Sequence, residues 1–81
     1  LLDPENPLAP AGLGDVRMLK GDFREALSQF DVAIGLDPKN GGFYLYAGNA
    51  CRKLRQEKRA TSYYKKGCEL GSKIACGFLK K

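Results

Sequence analysis

Apolar residues recur at three- and four-residue steps along most of this chain, with polar residues filling the positions between them. In residues 22–36, DFREALSQFDVAIGL, the apolar set is Phe23, Ala26, Leu27, Phe30, Ala33 and Ile34, the spacing of one face of an α-helix. Asp22, with Glu25 three positions on, has the form of a capping box in which aspartate takes the usual Ser/Thr role. Asp37-Pro38 closes the segment, because the proline ring disfavours helical geometry at the residue before it. Residues 42–54 predict another helix, with Tyr44, Ala47, Gly48, Cys51 and Leu54 on its packing stripe and Asn40 as its N-cap. Residues 57–70 predict a further one through Ala60, Tyr63, Tyr64, Gly67 and Leu70. The expected fold class is all-α.

The patterns repeat. LDPEN at 2–6 returns as LDPKN at 36–40, an offset of 34 that also aligns Leu2, Leu36 and Leu70. The same shift carries Leu13-Gly14 to Ala47-Gly48, Ala26 to Ala60, Phe30 to Tyr64 and Ala33 to Gly67. The small residues Gly14, Ala26, Gly48 and Ala60 allow close helix approach, as a stack of antiparallel pairs needs. A 34-residue helix–turn–helix unit with Leu-Gly, Gly-Asp-Phe, Ala-Leu, Phe, Ala and Leu-Asp-Pro resembles the tetratricopeptide repeat. Residues 7–40 carry the pattern through Leu13, Gly14, Gly21, Phe23, Ala26, Phe30, Ala33 and Pro38, and residues 41–74 through Tyr44, Gly48, Leu54, Ala60 and Tyr64. They depart from it at Pro10, Arg17, Lys20, Arg55 (usually glycine) and Ser72 (usually proline). The resemblance implies a right-handed α-solenoid of antiparallel helix pairs. Residues 1–6 would be the tail of a preceding repeat, 7–40 and 41–74 two units, and 75–81 a C-terminal capping helix.

Charge divides the chain. Residues 1–40 hold four basic and seven acidic groups, net −3, while residues 41–81 hold ten basic and two acidic, net +8. The run RKLRQEKR places Arg52, Lys53, Arg55, Lys58 and Arg59 in one basic patch, joined by Lys65, Lys66, Lys80 and Lys81. Such a patch is either a solvated helical face or a surface for an acidic protein segment or a nucleic acid. Nucleic-acid binding normally pairs basic groups with exposed aromatics, and Tyr63 is the one aromatic nearby whose exposure the pattern leaves open. The chain has no histidine, hence neither the usual general base at neutral pH nor the commonest metal ligand. It has no phosphate-binding Gly-rich loop and no apolar run near the ~20 residues of a membrane span. No catalysis, cofactor or metal is expected.

Three cysteines cannot fill a four-thiolate zinc site, and none forms a C-x-x-C pair. Cys51 lies on the packing stripe of 42–54 and is expected buried and unpaired. Cys68 and Cys76 flank the Gly71-Ser72 corner and could be a bridge or two reduced core residues. YYKKGCELGSKIACGFL closely resembles the cysteine-rich, Sel-like branch of these solenoids. That resemblance implies a structural Cys68–Cys76 disulfide and, with it, an oxidising compartment, periplasmic or secreted; reduced cysteines fit a cytoplasmic protein.

The same resemblance places function in the concave groove lined by the first helix of each pair, where an extended peptide is held. About 100° around from the packing stripe sit Leu45, Asn49 and Arg52, with Lys53 beside them; the matching stripe upstream is Ala11, Asp15 and Met18, with Leu19 beside it. Asn49 matches a position where such repeats carry an asparagine that bonds the ligand backbone. The expected function is a non-catalytic protein–protein interaction scaffold for a peptide or partner segment. The alternative is polyanion or nucleic-acid binding through residues 52–66. An apolar N-terminal edge is further expected to promote self-association.

Overall fold

A computed structural model describes residues 5–79. Within them the chain forms five helices and no strand: α1 (Leu8–Lys20), α2 (Phe23–Leu36), α3 (Gly41–Lys53), α4 (Glu57–Glu69) and α5 (Lys73–Leu79). The expected all-α class is what the structure shows. Helix α1 packs on α2, α2 on α3, α3 on α4, and α5 closes against both α4 and α3. These are helical hairpins side by side. Leu2, and with it the first of the three aligned leucines, lies outside the described residues, as do most of the tail assigned to 1–6 and the basic Lys80 and Lys81.

The 34-residue offset reappears as geometry. In each hairpin an aromatic ring of the second helix packs against a glycine of the first: Phe30 on Gly14, and Tyr64 on Gly48. A Cβ added at Gly48 would stand 2.6 Å from Tyr64 Cε1, inside van der Waals contact, and Gly14 is as crowded by Phe30. Alanine at either site forces the ring to move, which costs about 1–3 kcal/mol in a packed interior. Ala26 and Ala60, also one period apart, are both buried. The main core joins Ala26, Leu27 and Phe30 of α2 to Leu45, Ala47, Ala50 and Cys51 of α3, then to Ala60, Tyr64 and Ala75. A smaller cluster of Ala11, Ala33 and Phe43 ties the start of α1 to the α2–α3 corner.

Local chemistry explains most of the element boundaries. Asn40 caps α3, its Oδ1 accepting from the Gly42 N–H at 3.0 Å. Helix α2 stops at Leu36, one residue short of Asp37-Pro38. The capping box expected at Asp22 does not form: Asp22 makes no side-chain cap bond. Its carboxylate lies 3.7 Å from Arg17, which also reaches Glu25 at 3.3 Å, so both acidic groups turn toward the end of α1. Helix α5 begins at Lys73, ahead of the 75 expected, because Ser72 Oγ accepts from the Ala75 N–H at 3.2 Å and starts the turn early.

The α1-to-α2 and α3-to-α4 turns each need one residue with positive φ. Gly21 supplies it in the first (φ 84°) and Arg55, one period later, in the second (φ 60°). The third corner uses Gly71 (φ 101°). Cys68 and Cys76 are joined across that corner by a disulfide, with Cα atoms 4.6 Å apart. Cys51 is free and fully buried.

Candidate functional site

Helices α1 and α3 share the buried cluster of Ala11, Ala33 and Phe43 near their starts, and a groove lies between them further along. Phe30 of α2 forms part of its lining, with Asp15, Met18 and Leu19 from α1 and Tyr46 and Asn49 from α3 completing a hollow of about 460 Å³. A second hollow of about 430 Å³, lined by Met18, Asn49, Arg52, Lys53 and Glu57, shares Met18 and Asn49 with the first. The two form one continuous trough. Its α1 end is apolar with a single carboxylate, and its far end is basic.

Side chains in the trough are held from behind. The Tyr46 ring packs on Phe30 with centroids 5.6 Å apart. The Tyr64 hydroxyl donates to Asn49 Oδ1 at 2.7 Å, which commits the amide oxygen and leaves the amide N–H pair for another acceptor. Burial pushes the Tyr64 phenol pKa up, and the nearby Arg52 pulls it back. The Arg52 guanidinium lies 4.9 Å over the Phe78 ring. Both ion pairs formed among the described residues belong to Arg17, so neither Arg52 nor Lys53 is engaged with a carboxylate there.

Of the seven groove residues expected from sequence, five converge here: Asp15, Met18, Asn49, Arg52 and Lys53. The placement of Ala11 and Leu45 on the groove needs correction. Ala11 is 6% exposed, packed with Ala33 and Phe43, and Leu45 is 7% exposed within the main core. Helix α3 is enclosed by α2, α4 and α5 together, so its buried face is wider than one stripe and takes in Leu45. Tyr46, one residue on, stands in the groove instead. The signal for it was present, since Tyr46, Asn49 and Arg52 fall at steps of three. Leu19, expected beside the stripe, also lines the trough, as do Phe30 and Glu57, which were not singled out for it.

The basic patch is exposed as expected, but it is divided. Arg52 and Lys53 face the trough, while Arg59 lines a separate cleft with Tyr44, Ser62, Tyr63 and Lys66. Arg55 occupies the turn between them, and Lys58 is exposed on α4. Tyr63 is half-buried in the lining of that cleft, and its hydroxyl donates to Asp31 Oδ1 at 2.6 Å. No cluster of His, Cys, Asp or Glu suited to a metal occurs among the described residues, and none of their helices is long and apolar enough to cross a membrane. No protein-family model matches this sequence, and no curated protein matches it.

Proposed function

We propose that this chain is a non-catalytic protein–protein interaction scaffold of the tetratricopeptide type, a right-handed α-solenoid whose trough between α1 and α3 holds an extended segment of a partner. The observation that carries the reading is the convergence of Asp15, Met18, Asn49, Arg52 and Lys53, from two units of a 34-residue recurrence, on one open trough. Extended peptides present backbone carbonyls and alternating side chains. The Asn49 amide supplies a donor for the first, and Met18, Leu19 and Tyr46 supply an apolar wall for the second. Arg52 and Lys53 favour acidic residues in the bound segment.

The test is fluorescence anisotropy with labelled twelve-residue peptides that combine leucine and glutamate, against scrambled and lysine-for-glutamate controls. Saturable binding that is lost in Met18→Asp and weakened by Arg52→Glu supports the proposal. Absence of binding to any of the set, at protein concentrations up to the millimolar range, sinks it. A labelled single-stranded DNA serves as the competing probe. Salt-dependent binding to it, abolished by Arg52→Glu, Arg55→Glu and Arg59→Glu together, would instead establish the polyanion reading.

A further inference from the structure

Helix α5 lines neither hollow of the trough, yet it touches what holds the trough's polar groups in place. Phe78 stacks on the Tyr64 ring, with centroids 4.7 Å apart and planes 15° from parallel. The same Phe78 ring lies under the Arg52 guanidinium at 4.9 Å. Tyr64 in turn orients Asn49 through the 2.7 Å hydrogen bond. One side chain of α5 therefore bears on Arg52 directly and on Asn49 through Tyr64.

The docking of α5 rests on a few side chains, Ala75, Phe78 and Leu79. It has seven residues, far below the length at which an isolated helix is stable in water. Ala75 is its one buried residue, seated against Gly67, where an added Cβ would meet the Ala75 Cβ at 3.2 Å. Leu79 packs on the main core and Phe78 on Tyr64, and the Cys68–Cys76 link, whose two cysteines are half-buried and so partly open to solvent, is the covalent tie to α4.

We propose that α5 is a redox-controlled support for the trough: with Cys68 and Cys76 joined, Phe78 fixes Arg52 and, through Tyr64, Asn49 for a bound segment, and with them reduced α5 undocks and both lose their set positions. Tyr64 and Phe78 are positioning residues. The step needs a dithiol reductant. One of its thiolates attacks a protein sulfur and breaks the Cys68–Cys76 bond, and the second closes on the first to release an oxidised cyclic disulfide. Two electrons and two protons thus end on the Cys68 and Cys76 thiols. The importance of this for binding rests on the trough being the partner site, but the positioning can be read without any ligand.

The experiment is NMR on the ¹⁵N-labelled chain, oxidised and in dithiothreitol, following the Asn49 side-chain NH₂ and the Arg52 Nε–H. Reduction is expected to shift both signals and to speed hydrogen exchange at Ala75 and Cys76, while amides of α1 and α2 keep their protection. Phe78→Leu should shift both in the oxidised chain, and Tyr64→Phe, which keeps the ring, should shift Asn49. Unchanged Asn49 and Arg52 signals on reduction would overturn the proposal. So would loss of protection throughout the chain, since the link would then be a general stabiliser. In a second arm, the acidic leucine-containing peptide is titrated in both redox states and into Tyr64→Phe. About fivefold weaker binding is expected in each perturbed case, the scale of one displaced hydrogen bond. Shifted signals with no peptide binding in either state would retain α5 as the support and reject the trough as a peptide site. Equal peptide affinity in both states would reject the redox control alone.

Discussion

Tyr63 shows how much a single side chain carries here. Its hydroxyl reaches 32 residues back to Asp31 at 2.6 Å and ties α4 to α2 across the edge of α3. Burial first, and then Asp31, holds its pKa up at about 12, with Arg59 opposing. The folded chain therefore keeps the phenol proton longer than the unfolded one, in which tyrosine titrates near 10. Stability from this group is complete below about pH 10 and is lost as pH rises from there through about 12. Urea midpoints measured from pH 8 to 11.5 should fall above pH 10 in the native chain, with a smaller fall in Tyr63→Phe. Equal slopes in the two would contradict the assignment. At this scale the sequence was legible where a residue's placement follows from its neighbours on one helix, as for Asn49 and Arg52. It misled at Leu45 and Tyr46, a slip of one position, because the covered face of α3 is set by α2 and α4 together, with α5 adding to it.

At the scale of elements, helix identity and the 34-residue recurrence were readable directly from the apolar steps, and helix ends less so. Asn40 performs as its residue type suggests, whereas Asp22 and Glu25 are drawn to Arg17, a partner on a different helix that no local pattern specifies. The turn after α3 is the clearest case of one element doing the work of another with the wrong residue. Arg55 adopts φ 60°, where its equivalent Gly21 sits at 84° without steric cost. A left-handed conformation costs a non-glycine residue about 1–2 kcal/mol. Glycine returns part of that gain through its looser unfolded state. Arg55→Gly is accordingly expected to raise stability by about 0.5–1 kcal/mol, seen as a higher melting temperature by circular dichroism. A lower melting temperature would show that the Arg55 side chain itself stabilises the turn.

The whole molecule is an open stack, its Cα atoms spanning 44 × 26 × 15 Å, so the outermost helices keep a broad side in solvent. On α1 that side is apolar: Leu8, Leu13, Val16 and Leu19 are 67%, 52%, 47% and 90% exposed. Several large apolar side chains exposed on one helix mark a surface that another molecule can cover. The two halves of the chain also carry opposite net charge, −3 and +8, which favours head-to-tail contact between copies over head-to-head. Sedimentation velocity should show a mass that rises with concentration and falls with salt, and Leu13→Glu with Val16→Glu should hold the chain monomeric. A constant monomer mass up to about a millimolar would dismiss self-association through this face. The unevenness of charge was plain in the sequence. An apolar N-terminal edge was expected as well, but which residues of α1 form it emerges only once the packing order of the helices is known.

The buried Cys51 has a practical consequence. With Cys68 and Cys76 joined it is the one free thiol of the chain, and burial raises its pKa, with Arg59 partly offsetting and Asp31 adding to the effect. An alkylating reagent can reach it only when α3 and α4 part. The chain has no tryptophan to report that event by fluorescence. The rate at which a single mass increment accumulates on intact protein is thus a stopwatch for the opening of the interior, started by adding reagent and read on a balance of molecular weights.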